Sequence, residues 1–115
     1  MTSSGSPYSR FRRALATGNL ALVRAAAAEL PAVDLADALA ICLLMGSRDD
    51  ERYERAAVRW LARLALERPG IGLEELRQGL IAFEALPYNP VAARERLATL
   101  CERLGLAGAV RTLRG

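Results

Sequence analysis

The chain has 115 residues, of which 52% are hydrophobic and 25% charged, a composition typical of a folded globular protein rather than of a disordered one. Its formal net charge is +3, and every basic residue is an arginine, which we ascribe to a GC-rich coding genome rather than to phosphate binding. There is no histidine, so the commonest general base and the commonest metal ligand are both missing.

Residues 1–6 are rich in serine and glycine and offer little to bury. We therefore predict a disordered N-terminal tail over 1–6 and a single helical domain over 7–115. The N-terminal residues contain no apolar stretch of the kind that a signal peptide needs. Cys42 and Cys101 both lie in apolar helical settings, which indicates buried and reduced thiols. These features predict a cytoplasmic protein.

Two short helices are predicted first, over 7–17 and 20–30. Ser6 and Pro7 make a typical helix start, and Gly18 followed by Asn19 gives a tight turn in which Asn19 caps the second helix. The stretch RRALATGNLALVRAAAAEL resembles the helix-turn-helix half of an ankyrin repeat through its Gly-x-Leu-x-x-Val pattern. The resemblance implies two antiparallel helices. The Thr-Pro-Leu-His signature of ankyrin repeats is absent, and nothing recurs at their period.

The next stretch, VDLADALAICLLMG, predicts a helix over 35–45 that is apolar on every side. Such a helix must be buried all round or lie in a membrane, and a membrane span needs about 20 apolar residues. This run is too short, so we predict a central core helix. Asp34 is its expected N-cap, and Gly46 is expected to end it.

The fourth helix is predicted over 48–67, with three acidic residues in its first turn, namely Asp49, Asp50 and Glu51. Its inner face is expected to hold Tyr53, Ala56, Ala57, Trp60, Leu61 and Leu64. Four arginines on the opposite side form what we call the arginine stripe, namely Arg52, Arg55, Arg59 and Arg63. The tyrosine hydroxyl and the indole N–H are expected to reach the surface.

Three further helices are predicted over 72–86, 90–104 and 106–113, the last of which could close the fold or fray. The core seam of the fifth is expected to hold Leu73, Leu76, Leu80 and Phe83, and Gly79 within it indicates a close approach by another backbone. No segment alternates with the period of a strand. We predict an all-α fold, an irregular antiparallel bundle or short helix-hairpin array of about six to seven helices around the buried central helix.

No residue pattern in the chain indicates catalysis. The cysteines have no basic neighbour on their helical faces that would favour a thiolate, no cysteine spacing fits a metal, and Gly70-Ile71-Gly72 lacks the context of a phosphate-binding loop. We therefore expect no enzyme activity, no cofactor and no metal site.

The leading hypothesis is a non-catalytic helical protein–protein interaction module, an adaptor or accessory subunit, with self-association left open. Apolar residues that flank the core faces, such as Leu22, Leu66 and Ile81, support it. The alternative is a nucleic-acid-binding protein that uses the arginine stripe, although no base-reading residues accompany the stripe. No membrane partner is expected. The candidate partner-binding residues are Arg52, Arg55, Arg59, Arg63, Leu66 and Tyr88.

Overall fold

A computed structural model describes residues 5–115, so most of the predicted tail over 1–6 lies outside the described residues. In that range the protein has seven α-helices and no strand, which confirms the predicted all-α fold. The helices are α1 (Pro7–Thr17), α2 (Leu20–Ala28), α3 (Leu35–Ser47), α4 (Tyr53–Glu67), α5 (Leu73–Ala85), α6 (Pro90–Arg103) and α7 (Ala107–Arg114). None of these helices is both long enough and apolar enough to cross a bilayer.

Contacts divide the chain into two compact units, Met1–Asp34 and Leu35–Gly115, and the single domain over 7–115 stays a prediction. The first unit is the predicted pair of helices. The Ser9 N–H donates to Ser6 Oγ at 3.0 Å, and the Leu22 N–H donates to Asn19 Oδ1 at 3.2 Å, so both predicted caps are present. Between them Gly18 has a left-handed backbone, with a φ of 69°, and ends α1.

The second unit is a closed ring of helices. Each of the helices α3 to α7 contacts the next one along the chain, and α7 returns to contact α3. No residue over 35–46 is exposed, and the side chains of Leu39 and Cys42 are fully buried. The predicted helix is therefore buried or half-buried along these residues, but within this unit it is one member of the ring, between α4 and α7, and not a central helix that the others surround.

The boundary between α3 and α4 differs from the prediction. Helix α3 continues to Ser47, so Gly46 lies inside it, and α4 begins at Tyr53 rather than at residue 48. The residues between form a turn in which Asp49 takes a left-handed backbone with a φ of 52°. Asp50 accepts a hydrogen bond from the Arg52 N–H at 2.9 Å. Aspartate tolerates such backbones and bonds to nearby N–H groups, and a turn therefore replaces the expected first helical turn.

An aromatic cluster packs α4 against α5 inside the ring. The Phe83 ring lies edge-on to both Tyr53 and Trp60, with centroids 6.5 and 5.7 Å away. The Tyr53 hydroxyl donates to the Phe83 carbonyl at 2.6 Å, and the Trp60 indole N–H donates to the Leu35 carbonyl at 2.8 Å. Both polar groups are buried, so the expectation that they reach the surface was wrong: a backbone acceptor lies within reach of each.

The predicted seam of α5 was partly wrong. Leu73 is 87% exposed and Leu80 is also exposed, whereas Gly79 and Ala82 are buried beside Phe83. The predicted approach of another backbone at Gly79 was wrong: the nearest group is a side chain, and a Cβ on Gly79 would lie 2.8 Å from Leu61 Cδ2 of α4. Because small residues bring α5 close to its neighbours, the buried face is rotated away from the larger leucines.

The C-terminal segment is an ordered helix, α7, which packs on α6 and α3. The guanidinium of Arg94 on α6 donates to the carbonyls of Thr112 and Leu113, at 3.4 and 3.3 Å. The guanidinium of Arg114 forms ion pairs with Glu95 and Glu102 of α6, at 2.7 and 2.8 Å. These polar contacts fasten α7 to α6, the side chain of Leu113 is buried, and the packing of α7 on α3 closes the ring.

Candidate functional site

A cleft of about 780 Å³ opens on the second unit. Its walls are the turn between α3 and α4, the N-terminal half of α4, and the C-terminal end of α5 with the residues that follow it. Tyr53 and Phe83 form its buried base, and Val58, Leu80 and Tyr88 give it exposed apolar surface. We call these five residues the apolar floor.

Carboxylates surround this floor. Four of them are exposed and form what we call the acidic rim, namely Asp49, Glu51, Glu54 and Glu84. A fifth, Asp50, is neutralised by the Arg52 guanidinium, with contacts of 2.8 and 2.7 Å. No described residue that lines the cleft is basic, and the rim carboxylates form no ion pair within residues 5–115. The cleft therefore carries uncompensated negative charge beside exposed apolar surface.

Local backbone geometry produces this arrangement. The chain turns at Asp49 and Asp50 instead of continuing as a helix, and Glu51 lies in this turn, before the first residue of α4. The turn places its carboxylates beside Glu54 from α4 and Glu84 from α5 around one opening. The hydrogen bond from Tyr53 to the Phe83 carbonyl fixes the base of the cleft between the two helices.

The structure separates the predicted partner-binding residues into groups. Two arginines of the stripe are engaged: Arg52 with Asp50, and Arg63 with Glu67 at 2.6 Å. Arg55 and Arg59 are exposed and form no ion pair with any described residue. They line a shallow depression together with Glu54 and Val58, immediately beside the cleft. The continuous basic stripe predicted from the sequence is thus reduced to these two free guanidinium groups.

The two apolar candidates are both strongly exposed. Tyr88 is 88% exposed and lies at the rim of the cleft, whereas Leu66 is 82% exposed near the C-terminal end of α4 and does not line the cleft. The structure therefore brings Tyr88 to the same surface as Arg55 and Arg59, and leaves Leu66 outside the site.

Sequence reasoning missed the acidic rim and most of the apolar floor. The acidic residues at 49–51 were interpreted as helix-dipole partners, and Glu84 is one of many exposed glutamates. One signal was present: Val58 is an apolar residue outside the predicted inner face of α4, and it is 58% exposed. The pairing of α4 with the C-terminal end of α5 could not be read from either helix alone.

The two cysteines lie in the core and form no disulfide. Burial raises the pKa of the Cys42 thiol to about 12 and that of the Cys101 thiol to about 11. Both thiols are therefore neutral at physiological pH, and neither supplies a thiolate nucleophile there. Residues 5–115 bring together no group of three or more potential metal ligands.

Comparisons of the chain with protein families, curated proteins and solved structures found no match.

Proposed function

We propose that this protein is a non-catalytic helical protein–protein interaction module, an adaptor or accessory subunit, whose cleft binds a basic amphipathic segment of a protein partner. One observation carries the proposal: the cleft combines an apolar floor, three of whose residues are exposed, with four carboxylates that form no ion pair within residues 5–115 and with no basic residue among its described lining. Burial of an apolar anchor on the floor would supply affinity, and the rim would select arginine or lysine beside that anchor.

The shape of the site suits a helical segment. Two helices, α4 and α5, form its walls, and a helix can lay an apolar face into such a groove while long basic side chains reach its edges. Tyr88 and Leu80 offer the exposed surface on which an aliphatic or aromatic anchor would pack.

We also propose that the protein does not catalyse a reaction. The raised pKa of each buried thiol and the lack of histidine support a binding role over a nucleophilic one. The two free, buried cysteines also suit the reducing cytoplasm, which is the compartment we propose.

A library of displayed helical peptides, selected on the immobilised protein in low salt, tests the proposal. Enriched peptides should carry arginine or lysine on both sides of an apolar anchor. Their affinity should fall by tenfold or more for Glu84→Lys, since an attractive charge becomes a repulsive one at the rim. Glu74→Lys is the matched control, because Glu74 is an exposed glutamate near the other end of α5, outside the cleft.

Two results would count against the binding module. One is a selection that enriches no peptide. The other is a set of peptides whose affinity is equally sensitive to Glu74→Lys and Glu84→Lys, which would indicate non-specific attraction to the protein surface.

Nucleic-acid binding is the second candidate, because Arg55 and Arg59 are exposed and unpaired. The nearby carboxylates of the acidic rim oppose it, since they would repel phosphates. A titration with DNA and RNA in about 50 mM salt decides between the two candidates. Affinity that is lost in the double variant Arg55→Glu/Arg59→Glu would favour nucleic acid, and no affinity at all would eliminate it.

A further inference from the structure

The surface of α4 beside the cleft carries free charges of both signs. The acidic rim lies on one side, and Arg55 and Arg59 lie on the other. Glu54 and Val58 are exposed and line both the cleft and the shallow depression, so they mark the boundary between the two patches.

Within α4, no carboxylate lies three or four residues from Arg55 or Arg59. A surface arginine on a helix normally pairs with a carboxylate three or four residues away. Around Arg55 and Arg59 those positions within α4 hold only arginine, valine and alanine. Glu51, four residues before Arg55, lies outside the helix in the preceding turn. The same surface therefore presents unsatisfied acidic and basic groups side by side.

Adjacent patches of opposite charge make a surface self-complementary, which suits a two-fold symmetric contact. In such a contact the same surface is used by both copies, and each patch meets the other patch of the partner. An axis that passes beside Val58, between the two patches, would place the arginines of each copy at the acidic rim of the other. The apolar surface of Val58 would lie at the centre, where water is most fully excluded.

We propose that the basic helical surface bound by the acidic cleft is supplied by a second copy of this chain, through Arg55 and Arg59. This inference rests on the proposed function, because it uses the same cleft and names its occupant. Arginine suits the role, since its planar guanidinium can bond a carboxylate through two N–H groups at once. The surface is small and its attraction is largely electrostatic, so the dimer is weak and dissociates as salt rises.

Sedimentation equilibrium of the full chain with reciprocal charge reversals tests the inference. In about 50 mM salt, where exposed charges are weakly screened, the wild type should associate to dimers. Association should be lost in Arg55→Glu/Arg59→Glu and, separately, in Glu54→Arg/Glu84→Arg. An equimolar mixture of these two variants should form a heterodimer, because each then presents the charge that the other has lost. The control Arg96→Glu/Arg111→Glu changes net charge equally on exposed arginines of α6 and α7 and should dimerise like the wild type.

The inference is overturned if the wild type stays monomeric at every concentration in low salt, or if Arg55→Glu/Arg59→Glu dimerises as the wild type does. It is also overturned if the mixture of reversed variants contains only monomers. The circular dichroism spectrum of each variant verifies that it is folded. Failure here leaves the proposed function standing if displayed peptides still bind the cleft in a Glu84-dependent way, so the two failures are distinguishable.

Discussion

Gly46 and Tyr53 form a tight contact at the base of the cleft. A Cβ on Gly46 would lie 2.9 Å from Tyr53 Cε1 and 3.0 Å from Leu86 Cδ2, closer than side chains normally approach. The tyrosine ring cannot easily move aside, because its hydroxyl is bonded to the Phe83 carbonyl. The glycine that the sequence indicated as a helix end is therefore needed for packing.

The substitution Gly46→Ala tests this contact. Overpacking in a core costs about 1–3 kcal/mol, and the gain in helix propensity is small near the end of a helix. We expect a net loss of about 1–2 kcal/mol in the free energy of unfolding, measured by urea denaturation. In the control Gly70→Ala, the new Cβ meets nothing within 4 Å, so the free energy should be unchanged or slightly higher. Equal effects of the two changes would contradict the account.

The buried thiols predict how stability depends on pH. The pKa of each thiol is raised in the folded state, so its contribution to stability is complete below the ordinary pKa near 9 and is lost as pH rises toward 11–12. Between pH 8 and pH 10 we expect the free energy of unfolding to fall by roughly 1–3 kcal/mol. Cys42→Ala/Cys101→Ala should reduce this slope, and a slope that is unchanged would show that other groups cause it.

At the level of elements, α7 is the helix that closes the ring, and ion pairs fasten its end. The contact with Arg114 lowers the pKa of the Glu102 carboxyl, because the guanidinium favours its charged form. Both groups are exposed, so the pair contributes more to order at the end of α7 than to global stability.

We expect Arg114→Ala to leave the global free energy of unfolding almost unchanged, because exposed ion pairs contribute little to it. Amide hydrogens of α7 should nevertheless exchange faster, while those of α4 keep their rates, since local opening does not require global unfolding. The control is Arg77→Ala. Arg77 pairs with Glu74 within one turn of α5, so this ion pair does not connect two helices. If the rates in α7 do not change, packing alone holds the helix, and the role assigned to Arg114 is wrong.

Local sequence patterns predicted the start of some helices correctly and the start of others wrongly. Helix α1 begins after Ser6 with Pro7 at its first position, and this start was predicted from that pair of residues. The start of α4 was predicted wrongly, because three acidic residues favour a helix N-terminus as readily as they fit a turn. The buried face of α5 also could not be read from periodicity, since the small Gly79 and Ala82, and not Leu73, meet the neighbouring helices.

At the scale of the whole molecule, net charge is a poor guide to the site. The chain carries a formal net charge of +3, and the sequence directed attention to its arginines, yet the cleft is lined by carboxylates. Half of the arginine stripe is neutralised by Asp50 and Glu67, whereas the acidic rim has no ion-pair partner in the part of the chain that the structure describes. Which charges remain free depends on side-chain contacts in the folded chain, and composition contains no information about them.

The cleft as a binding site for a basic helical surface is the central claim, and amide chemical-shift mapping tests it most directly. A basic amphipathic peptide from the displayed library is titrated into the isotope-labelled protein in low salt. Chemical shifts should change at the cleft, around Glu54, Val58, Leu80, Glu84 and Tyr88, and in Glu84→Lys the same changes should need at least tenfold more peptide. Shift changes centred on α6 and α7, or changes that persist equally in Glu84→Lys, would contradict the claim.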